Sequence, residues 1–359
     1  MTNQPVFFEE IATADGCLLG VARLQVPRAM NALSLEMIKL LERQLALWAD
    51  NEAVVAVWLE GDGDKAFCAG GDVVALYRDM TEPRPDHRSA SEGETFFTLE
   101  YELDQMIHNY AKPLIVWGNG IVMGGGMGLM VGASHRVVTE RSRLAMPEVT
   151  IGLYPDVGAG WFLNRMPGRT GLFLGLTGAH IKAADALFVG LADRFICHER
   201  KMDVLQALQQ AHLSDAPHAG VNKVLRQFES QSREALPDSE VRNHFDDIQA
   251  LTDADTLVEV VSNLKQASDG DAWLAKAVAS LASASPTSLA ILWQHLQSTR
   301  HDSLSEVFAK ELSLSIRCLK KGEFAEGIRA LLIDKDRNPR WHCPSLEDVS
   351  PAWMDEFFT

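Results

Sequence analysis

Four glycines fall within the segment Gly124–Gly128, between an uncharged apolar run and a further apolar stretch. Glycine lets a backbone adopt positive φ angles or approach a ligand closely. A glycine turn that leads into a helix also presents unpaired N–H groups at the positive end of the helix dipole. Such a turn can bind an anion, either a phosphate or the oxyanion of an acyl-transfer reaction. The segment therefore predicts an anion cradle around which the chain is organised.

Two acidic residues follow the cradle, and each stands directly after a proline: Glu148 after Pro147, and Asp156 after Pro155. Apolar residues flank Glu148, and burial among them would raise the pKa of its carboxyl and suit acid–base chemistry. Asp156 fits equally well as an ordinary turn residue after proline. Glu148 is therefore a candidate catalytic group, while the role of Asp156 stays open on the residues alone.

A second glycine turn, Gly70-Gly71, precedes Asp72, whose side chain can cap the helix that follows. Two separate turns can each aim one backbone N–H at the same point, which is what an oxyanion hole requires. The alternative for a glycine run is close packing of one backbone against another. The glycine pattern alone is compatible with both interpretations.

Charge and cysteine content exclude several classes of protein. The net charge of −16 argues against nucleic acid and against an anionic membrane surface as partners. The five cysteines lie far apart without a CxxC pair, so we expect free thiols rather than disulfides or a zinc site. The N-terminal residues do not form a secretory signal. These features predict a cytoplasmic protein.

The uncharged run 113–134 is long enough to cross a bilayer. Glycines and Asn119 interrupt its centre, and glycine is a poor helix former. We therefore predict a buried strand, a turn and a short helix here, and no membrane span.

Several common catalytic motifs are absent from the sequence. It contains neither GxxxxGK[ST] nor a GxGxxG after a strand, so phosphate-loop and dinucleotide sites are not predicted. It also lacks GxSxG and HExxH, which mark α/β-hydrolases and zinc peptidases. The histidines are scattered without metal-ligand spacing, so no metal site is predicted.

Strand and helix patterns alternate up to about residue 200, which indicates an α/β layer built from βαβ units. Ser34 and Asp72 can each cap a helix. Strands are predicted at 6–10, 17–26, 54–61 and 135–140.

Beyond about residue 200 only helical periodicity remains. Ser285-Pro286 is a clear helix start, with a cap followed by proline in the first turn. We therefore predict an α/β part over residues 1–200 and a helical part over 201–359. Residues 81–93 are polar with two prolines and predict an exposed loop.

Several stretches of the chain resemble the enoyl-CoA hydratase/isomerase (crotonase) superfamily, and most closely its 3-hydroxyisobutyryl-CoA hydrolase branch. The resemblance extends from residue 28 to residue 336. The matching stretches are Arg28–Leu33, Lys65–Asp72, Asn119–Gly128, Met146–Glu148, Gly152–Gly158, Glu326–Ala330 and Leu332–Asp336.

This resemblance implies a ClpP/crotonase-like α/β fold, with a core of ββα repeats and a mainly helical C-terminal part. It implies an acyl-CoA substrate and no separate cofactor, because coenzyme A is part of the substrate. Gly71 and Gly125 match the N–H donors of the family's oxyanion hole, and Glu148 and Asp156 match the catalytic acids of the branch. The further residues that match substrate contacts are Glu100, Arg28, Asn31 and Ala32. Apart from the resemblance, four cations are candidate contacts for the coenzyme A phosphates, with a solvated surface role as the alternative for each: Arg28, Lys65, Lys335 and Arg337.

Residue 128 distinguishes between the reactions of the superfamily. Hydratases have the first of their two catalytic glutamates where this chain has Gly128. Syn-hydration needs an acid and a base beside the double bond, so the missing carboxylate argues against it.

The sequence therefore predicts hydrolysis of a short-chain 3-hydroxyacyl-CoA thioester, above all 3-hydroxyisobutyryl-CoA of valine catabolism. The alternatives are an enoyl-CoA hydratase or isomerase of the same superfamily and a non-catalytic acyl-CoA-binding protein. The superfamily often forms trimers and hexamers, and such a homo-oligomer is expected here, with a monomer or dimer left open.

Overall fold

The computed structural model describes residues 4–82, 91–267 and 270–359. The chain forms two compact units whose segments alternate along the sequence. The first unit comprises Met1–Gly71, Glu102–Leu144 and Ile181–Ser239, and the second comprises Asp72–Tyr101, Ala145–His180 and Glu240–Thr359. The predicted functional division at residue 200 stays a prediction. Of the predicted loop at 81–93, residues 83–90 lie outside the described part.

The strands form one large and one small sheet. They are β1 (Val6–Ala12), β2 (Leu18–Leu24), β3 (Val54–Gly61), β4 (Ala66–Cys68), β5 (Leu114–Gly118), β6 (Ile121–Met123), β7 (His135–Val138), β8 (Arg143–Ala145) and β9 (Arg194–Phe195). The large sheet has the order β1-β2-β3-β5-β7-β9, and the small one has the order β4-β6-β8. In the large sheet β1 and β2 pair antiparallel, and the other neighbours pair parallel.

From residue 201 on, every regular element of the described chain is helical, as predicted. The helices are α1 (Leu35–Asp50), α2 (Val73–Thr81), α3 (Glu92–His108), α4 (Gly125–Val131), α5 (Ala159–Phe162), α6 (Thr170–Thr177), α7 (Ala183–Phe188), α8 (Lys201–Gln210), α9 (Pro217–Ser232), α10 (Glu240–Asn243), α11 (Phe245–Leu251), α12 (Leu257–Gln266), α13 (Ala272–Val278), α14 (Pro286–Ser298), α15 (Leu304–Lys321), α16 (Glu323–Ile328) and α17 (Pro351–Phe358). A π-helical turn, Arg329–Ile333, follows α16 directly.

The helix starts predicted from capping residues are confirmed. The side chains of Ser34, Asp72 and Ser285 each accept a hydrogen bond from the N–H three residues later, at 3.2, 3.1 and 3.0 Å. Such a bond satisfies one of the N–H groups that a helix start leaves unpaired. These polar residues therefore fix where α1, α2 and α14 begin.

One hydrophobic cluster of the first unit lies on one face of the large sheet. Trp58 of β3 and Trp117 of β5 stack there with ring centroids 5.3 Å apart. Apolar residues of α8 and α9 belong to the same buried cluster. The β3 strand is buried along all but its last residue, as its continuously apolar sequence predicts.

The uncharged run 113–134 forms β5, β6 and α4, in agreement with the predicted strand, turn and short helix. Within the described ranges, no helix combines the length and the apolarity that crossing a membrane would need.

Gly152 allows a close approach that no other residue would permit. It has a φ of +76°, and a Cβ added there would lie 2.3 Å from the carbonyl oxygen of Glu323. Replacing Gly152 by alanine should destabilise the protein by at least about 1–2 kcal/mol, the cost of a left-handed backbone, with the clash in addition. Gly190→Ala is the matched control, because Gly190 has a φ of +79° with no atom near an added Cβ. Denaturant unfolding measures both variants, and equal losses would contradict the steric account.

Candidate active site

The two predicted glycine turns lie against each other within the first unit. A Cβ added to Gly70 would be 3.4 Å from the carbonyl oxygen of Met123. A Cβ added to Gly126 would be 2.3 Å from the carbonyl oxygen of Cys68. Glycine at position 126 is therefore required for the two backbones to pack this closely. The close packing that was one interpretation of the glycine pattern is also what brings the two turns together.

The N–H groups of Gly71 and Gly125 form no hydrogen bond with another backbone group of the described residues. Leu33 forms a bridge with Gly71, but the bond runs from the N–H of Leu33 to the carbonyl oxygen of Gly70, at 2.8 Å. Gly125 is the first residue of α4, where N–H groups have no acceptor within the helix. In the described ranges, neither N–H donates to another backbone group. Both groups are therefore donors of the kind that an oxyanion hole uses.

Glu148 lies in the second unit and is almost completely buried. It begins a 3₁₀ turn, Glu148–Ile151, and is 5% exposed. Its Oε2 has no hydrogen-bond partner among the described residues. Burial raises the pKa of this carboxyl well above its ordinary value, and the negative charge of Asp156 raises it further. The rise in pKa predicted from the apolar neighbours of Glu148 is confirmed.

Glu60 in the first unit shows how a buried glutamate is held when its charge is compensated. It is 1% exposed, and Arg23 Nε and Lys201 Nζ lie 2.6 and 3.1 Å from its two oxygens. Burial alone would raise the pKa of Glu60, but the two cations outweigh it and hold the pKa below its ordinary value. No cation of the described chain lowers the pKa of Glu148. An uncompensated buried carboxyl of this kind is typical of functional sites.

Asp156 lies in the second unit, in the turn after Pro155. It is 4% exposed, and the Tyr101 hydroxyl donates a hydrogen bond of 2.6 Å to its Oδ2. Burial raises the pKa of Asp156 to about 7; the bond from Tyr101 opposes this rise, and the charge of Glu311 adds to it. Asp156 is therefore a buried, weakly acidic carboxyl and not a solvated turn residue.

The negative charge of Asp156 opposes the ionisation of Glu148, so the two carboxyls interact as they titrate. Such a pair can provide a carboxylate together with a carboxylic acid. This combination serves nucleophilic and acid–base catalysis. Among the described residues, no group of three His, Cys, Asp or Glu side chains is arranged to hold a metal ion.

Asn31 uses its whole side chain to brace turns of the first unit. Its Nδ2 donates to the carbonyl oxygens of Asp62 and Ala66, both at 3.0 Å. Its Oδ1 accepts from the N–H of Val26, also at 3.0 Å. A contact between Asn31 and a ligand would therefore have to come from the backbone. Ala32, the next residue, is half-buried.

The other residues that are predicted to contact the substrate differ in their solvent exposure. Glu100 is 2% exposed on α3. Four predicted phosphate contacts, Arg28, Lys65, Lys335 and Arg337, are all exposed. Their contacts with a substrate stay predictions.

The sequence interpretation missed the polar groups that surround Asp156. Ser315 Oγ lies 2.7 Å from the Tyr101 hydroxyl and 2.9 Å from the Tyr154 hydroxyl. Glu311 stands one turn earlier on the same helix, α15, and is completely buried. A signal for them does exist in the sequence, since Glu311 and Ser315 are polar residues four apart on the otherwise apolar face of an amphipathic helix.

Glu148→Gln should raise the unfolding temperature at alkaline pH and leave it nearly unchanged at acid pH. A carboxyl whose pKa is raised by folding contributes stability below its unfolded pKa of about 4.3 and loses it as the pH rises through the folded pKa. Glutamine never carries this buried charge. The unfolding temperature of both proteins across the pH range is the measurement.

Glu60→Gln is the control of opposite sign. In the wild-type protein, folding lowers the pKa of Glu60. The Glu60 carboxylate therefore stabilises the fold above its unfolded pKa, and this stabilisation is lost as the pH falls through the folded pKa. This variant should therefore lower the unfolding temperature at neutral pH and do so less in acid. The same pH dependence in both variants would contradict the assigned pKa directions.

The enoyl-CoA hydratase/isomerase family profile matches residues 19–358 of the chain. The mitochondrial 3-hydroxyisobutyryl-CoA hydrolase of Xenopus tropicalis is 39% identical over 363 residues, covering 100% of this chain and 91% of that protein. The protein of the same name from Danio rerio is 38% identical, covering 99% of this chain and 89% of its own length.

Two solved structures are similar over nearly the whole chain. An enoyl-CoA hydratase from Rhodobacter sphaeroides 2.4.1 superposes with a TM-score of 0.83 at 33% identity. A carnitinyl-CoA dehydratase from Mycobacterium thermoresistibile superposes with a TM-score of 0.86 at 31% identity. Each comparison covers 99% of this chain and 97% of the other. The predicted crotonase-like fold is confirmed.

The predicted cytoplasmic location is wrong, because the curated relatives are named as mitochondrial proteins. The prediction depended on scattered cysteines and on the lack of a secretory signal. Those features separate reducing from oxidising surroundings but do not distinguish the cytosol from the interior of an organelle.

The family profile, the curated relatives and the solved structures agree over almost the entire chain. The chain belongs to the enoyl-CoA hydratase/isomerase family, in the branch of the 3-hydroxyisobutyryl-CoA hydrolases.

Proposed function

We propose that the protein hydrolyses a short-chain 3-hydroxyacyl-CoA thioester, with 3-hydroxyisobutyryl-CoA preferred, and releases coenzyme A and the hydroxy acid. The observation that carries the proposal is the buried carboxyl of Glu148, which has a raised pKa and an unbonded oxygen. Curated relatives of similar length carry this activity in their names. On this assignment the reaction belongs to valine degradation.

The thioester carbonyl would be polarised by the N–H groups of Gly71 and Gly125. Attack at the acyl carbon places negative charge on the carbonyl oxygen, and loss of one such donor typically raises the barrier by about 3–4 kcal/mol. When the C–S bond breaks, the coenzyme A thiolate leaves, and it gains the proton that the hydrolysing water gives up. Asp156 would orient the substrate hydroxyl or the attacking water.

Glu148 has two available roles in this reaction. It can attack the acyl carbon and form a mixed anhydride, which water then cleaves, or it can take a proton from a water that attacks directly. A single turnover in water labelled with heavy oxygen tests for the anhydride. Label in the Glu148 carboxylate identifies the anhydride, whereas label confined to the product acid arises both from the general-base route and from attack of water on the acyl carbon of the anhydride.

Hydration is the competing reaction, since the two solved relatives are named as an enoyl-CoA hydratase and a carnitinyl-CoA dehydratase. A Cβ added to Gly128 would lie 2.4 Å from Oδ2 of Asp104. A glutamate at position 128 would therefore have to displace the Asp104 side chain. This packing favours hydrolysis, because syn-hydration uses a second carboxylate.

Two assays on the same purified protein test the proposal. We expect thiol release from 3-hydroxyisobutyryl-CoA and no loss of the ultraviolet absorbance of the conjugated thioester when crotonyl-CoA is added. Loss of that absorbance without thiol release would replace hydrolysis by hydration.

The substrate contacts of Glu100, Arg28, Asn31 and Ala32 belong to the same proposal. The protein is proposed to need no cofactor besides the coenzyme A of its substrate. A trimer or hexamer is proposed from the superfamily, and size-exclusion chromatography with light scattering measures it.

A further inference from the structure

The turn that carries Asp156 has an unfavourable backbone. Val157 has a φ of +52°, and Gly158 after it has a φ of +88°. Positive φ is a genuine outlier for a β-branched residue such as valine. Conformations of this kind persist only where the surrounding structure enforces them, and they concentrate at functional sites. Some other part of the second unit must therefore hold this turn in place.

Glu311 of α15 binds the backbone of this turn. Its Oε2 accepts a hydrogen bond of 2.7 Å from the N–H of Gly158, and its Oε1 accepts one of 2.9 Å from the N–H of Gly160. His295 Nε2 lies 3.1 Å from the same Oε1. The Glu311 side chain is 0% exposed, so these are charge-assisted bonds away from water. One carboxylate thus fixes two backbone groups of a strained turn.

The same helix also reaches the side chain of Asp156. Ser315 stands one turn after Glu311 and lies 2.7 Å from the hydroxyl of Tyr101. That hydroxyl donates to Asp156. The helix α15 therefore holds the turn by its backbone through Glu311 and by its carboxyl through Ser315 and Tyr101.

We propose that Glu311 is a positioning residue that clamps the turn 156–160 and so holds the Asp156 carboxyl in its reactive orientation. This inference rests on the proposed function, because it takes Asp156 to act on the substrate. Glu311 itself does not touch the reacting atoms. A misplacement of about 1 Å at a reacting group can cost on the order of 10²-fold in rate.

Five groups interact with Asp156 through a hydrogen bond or through its charge. They are Tyr101, Tyr154, Glu148, Glu311 and Cys318. The charge of Glu311 raises the pKa of Asp156, and the bond from Tyr101 lowers it. Removing each influence should therefore shift the titration of Asp156 in a different direction, which a merely structural role does not predict.

The test begins with Glu311→Gln in the full-length protein. The amide of glutamine has one acceptor oxygen, so one of the two N–H groups of the turn loses its partner. We expect kcat for thiol release to fall by about 10²-fold, with a smaller change in KM. The limb of the pH–rate profile that reports the titration of Asp156 is identified as the one that is absent in Asp156→Asn. This limb should move to lower pH in Glu311→Gln. It should move to higher pH in Tyr101→Phe.

Glu323→Gln is the matched control. Glu323 is also buried, at 6% exposure; it accepts a hydrogen bond from the Ser285 hydroxyl and one of 2.8 Å from the N–H of His342. This variant should lose stability and keep kcat and the pH profile. Hydrogen exchange gives a readout that does not depend on activity: the amides of Gly158 and Gly160 should exchange faster in Glu311→Gln and not in Glu323→Gln.

An unchanged kcat in Glu311→Gln would overturn the proposal. So would a loss of rate that Glu323→Gln reproduces, or a shift of the pH limb in the same direction in Glu311→Gln and Tyr101→Phe. Absence of thiol release by the wild-type protein would instead refute the proposed function, and the exchange of the two glycine amides would still test the clamp.

Discussion

Glu148→Gln should lower the rate of thioester hydrolysis by about 10²–10⁴-fold, which is the contribution typical of a positioned acid or base. Glutamine has nearly the shape of glutamate but can neither attack the acyl carbon nor accept a proton from water. Asp156 is proposed to orient the substrate hydroxyl or the attacking water, so it does not take over the role of Glu148 at the acyl carbon. Thiol release under substrate saturation is the measurement.

Binding of acyl-CoA should survive in the same variant. The substitution removes a charge from a buried position and leaves the proposed donors Gly71 and Gly125 in place. Titration with a thioether analogue, which cannot be hydrolysed, measures the affinity. If the variant kept more than about a tenth of the wild-type rate, the loss would be far smaller than the loss of an acid or base causes. Glu148 would then not have its proposed role.

Gly125→Pro should lower kcat by about 10²–10³-fold, the usual effect of losing one oxyanion donor. Proline lacks the N–H that is proposed to bind the thioester oxygen. Position 125 is the first residue of α4, where proline fits the helix geometry and removes no helical hydrogen bond. The substitution therefore removes the donor without removing a hydrogen bond of the helix.

Gly125→Ala is the matched control, because it adds a Cβ at the same position and keeps the N–H. Circular dichroism of both variants shows whether the fold is retained. With both folded, a rate for Gly125→Pro equal to that of Gly125→Ala would show that the N–H of residue 125 does not contribute.

The parts of the fold that could be predicted from the sequence are those marked by residues next to them in the chain. Ser34, Asp72 and Ser285 mark helix starts through bonds to N–H groups three residues away. The β3 strand shows itself by a continuous apolar run, and the burial of Glu148 by its apolar neighbours. Each of these signals lies within a few positions of the residue that it concerns.

The surroundings of Asp156 could not be predicted in the same way. Tyr101 is 55 residues away in the chain and bonds directly to its carboxyl. Glu311 is 153 residues beyond Gly158 and bonds to the backbone of that turn. Periodicity can mark Glu311 as a polar residue on an apolar helix face, but it does not reveal the partner, because the pairing depends on how distant segments pack. The location prediction failed for another reason, because reducing compartments leave the same mark on cysteine content.

A non-catalytic acyl-CoA-binding protein is the alternative from a different functional class, and the relatives named as hydrolases do not favour it. Such a protein would keep the fold, because fold alone does not establish activity. It would have no need for the uncompensated burial of Glu148, which costs stability wherever the carboxyl is ionised. If Glu148→Gln gains stability at alkaline pH and loses the rate of hydrolysis, Glu148 is a catalytic residue. A gain in stability in a protein that shows no hydrolysis would indicate the non-catalytic alternative.

Thiol release from a panel of acyl-CoA esters tests the central claim most directly. The account predicts that the purified protein cleaves 3-hydroxyacyl esters, with the highest kcat/KM for 3-hydroxyisobutyryl-CoA. A folded protein that binds these esters and liberates no coenzyme A from any of them would contradict it.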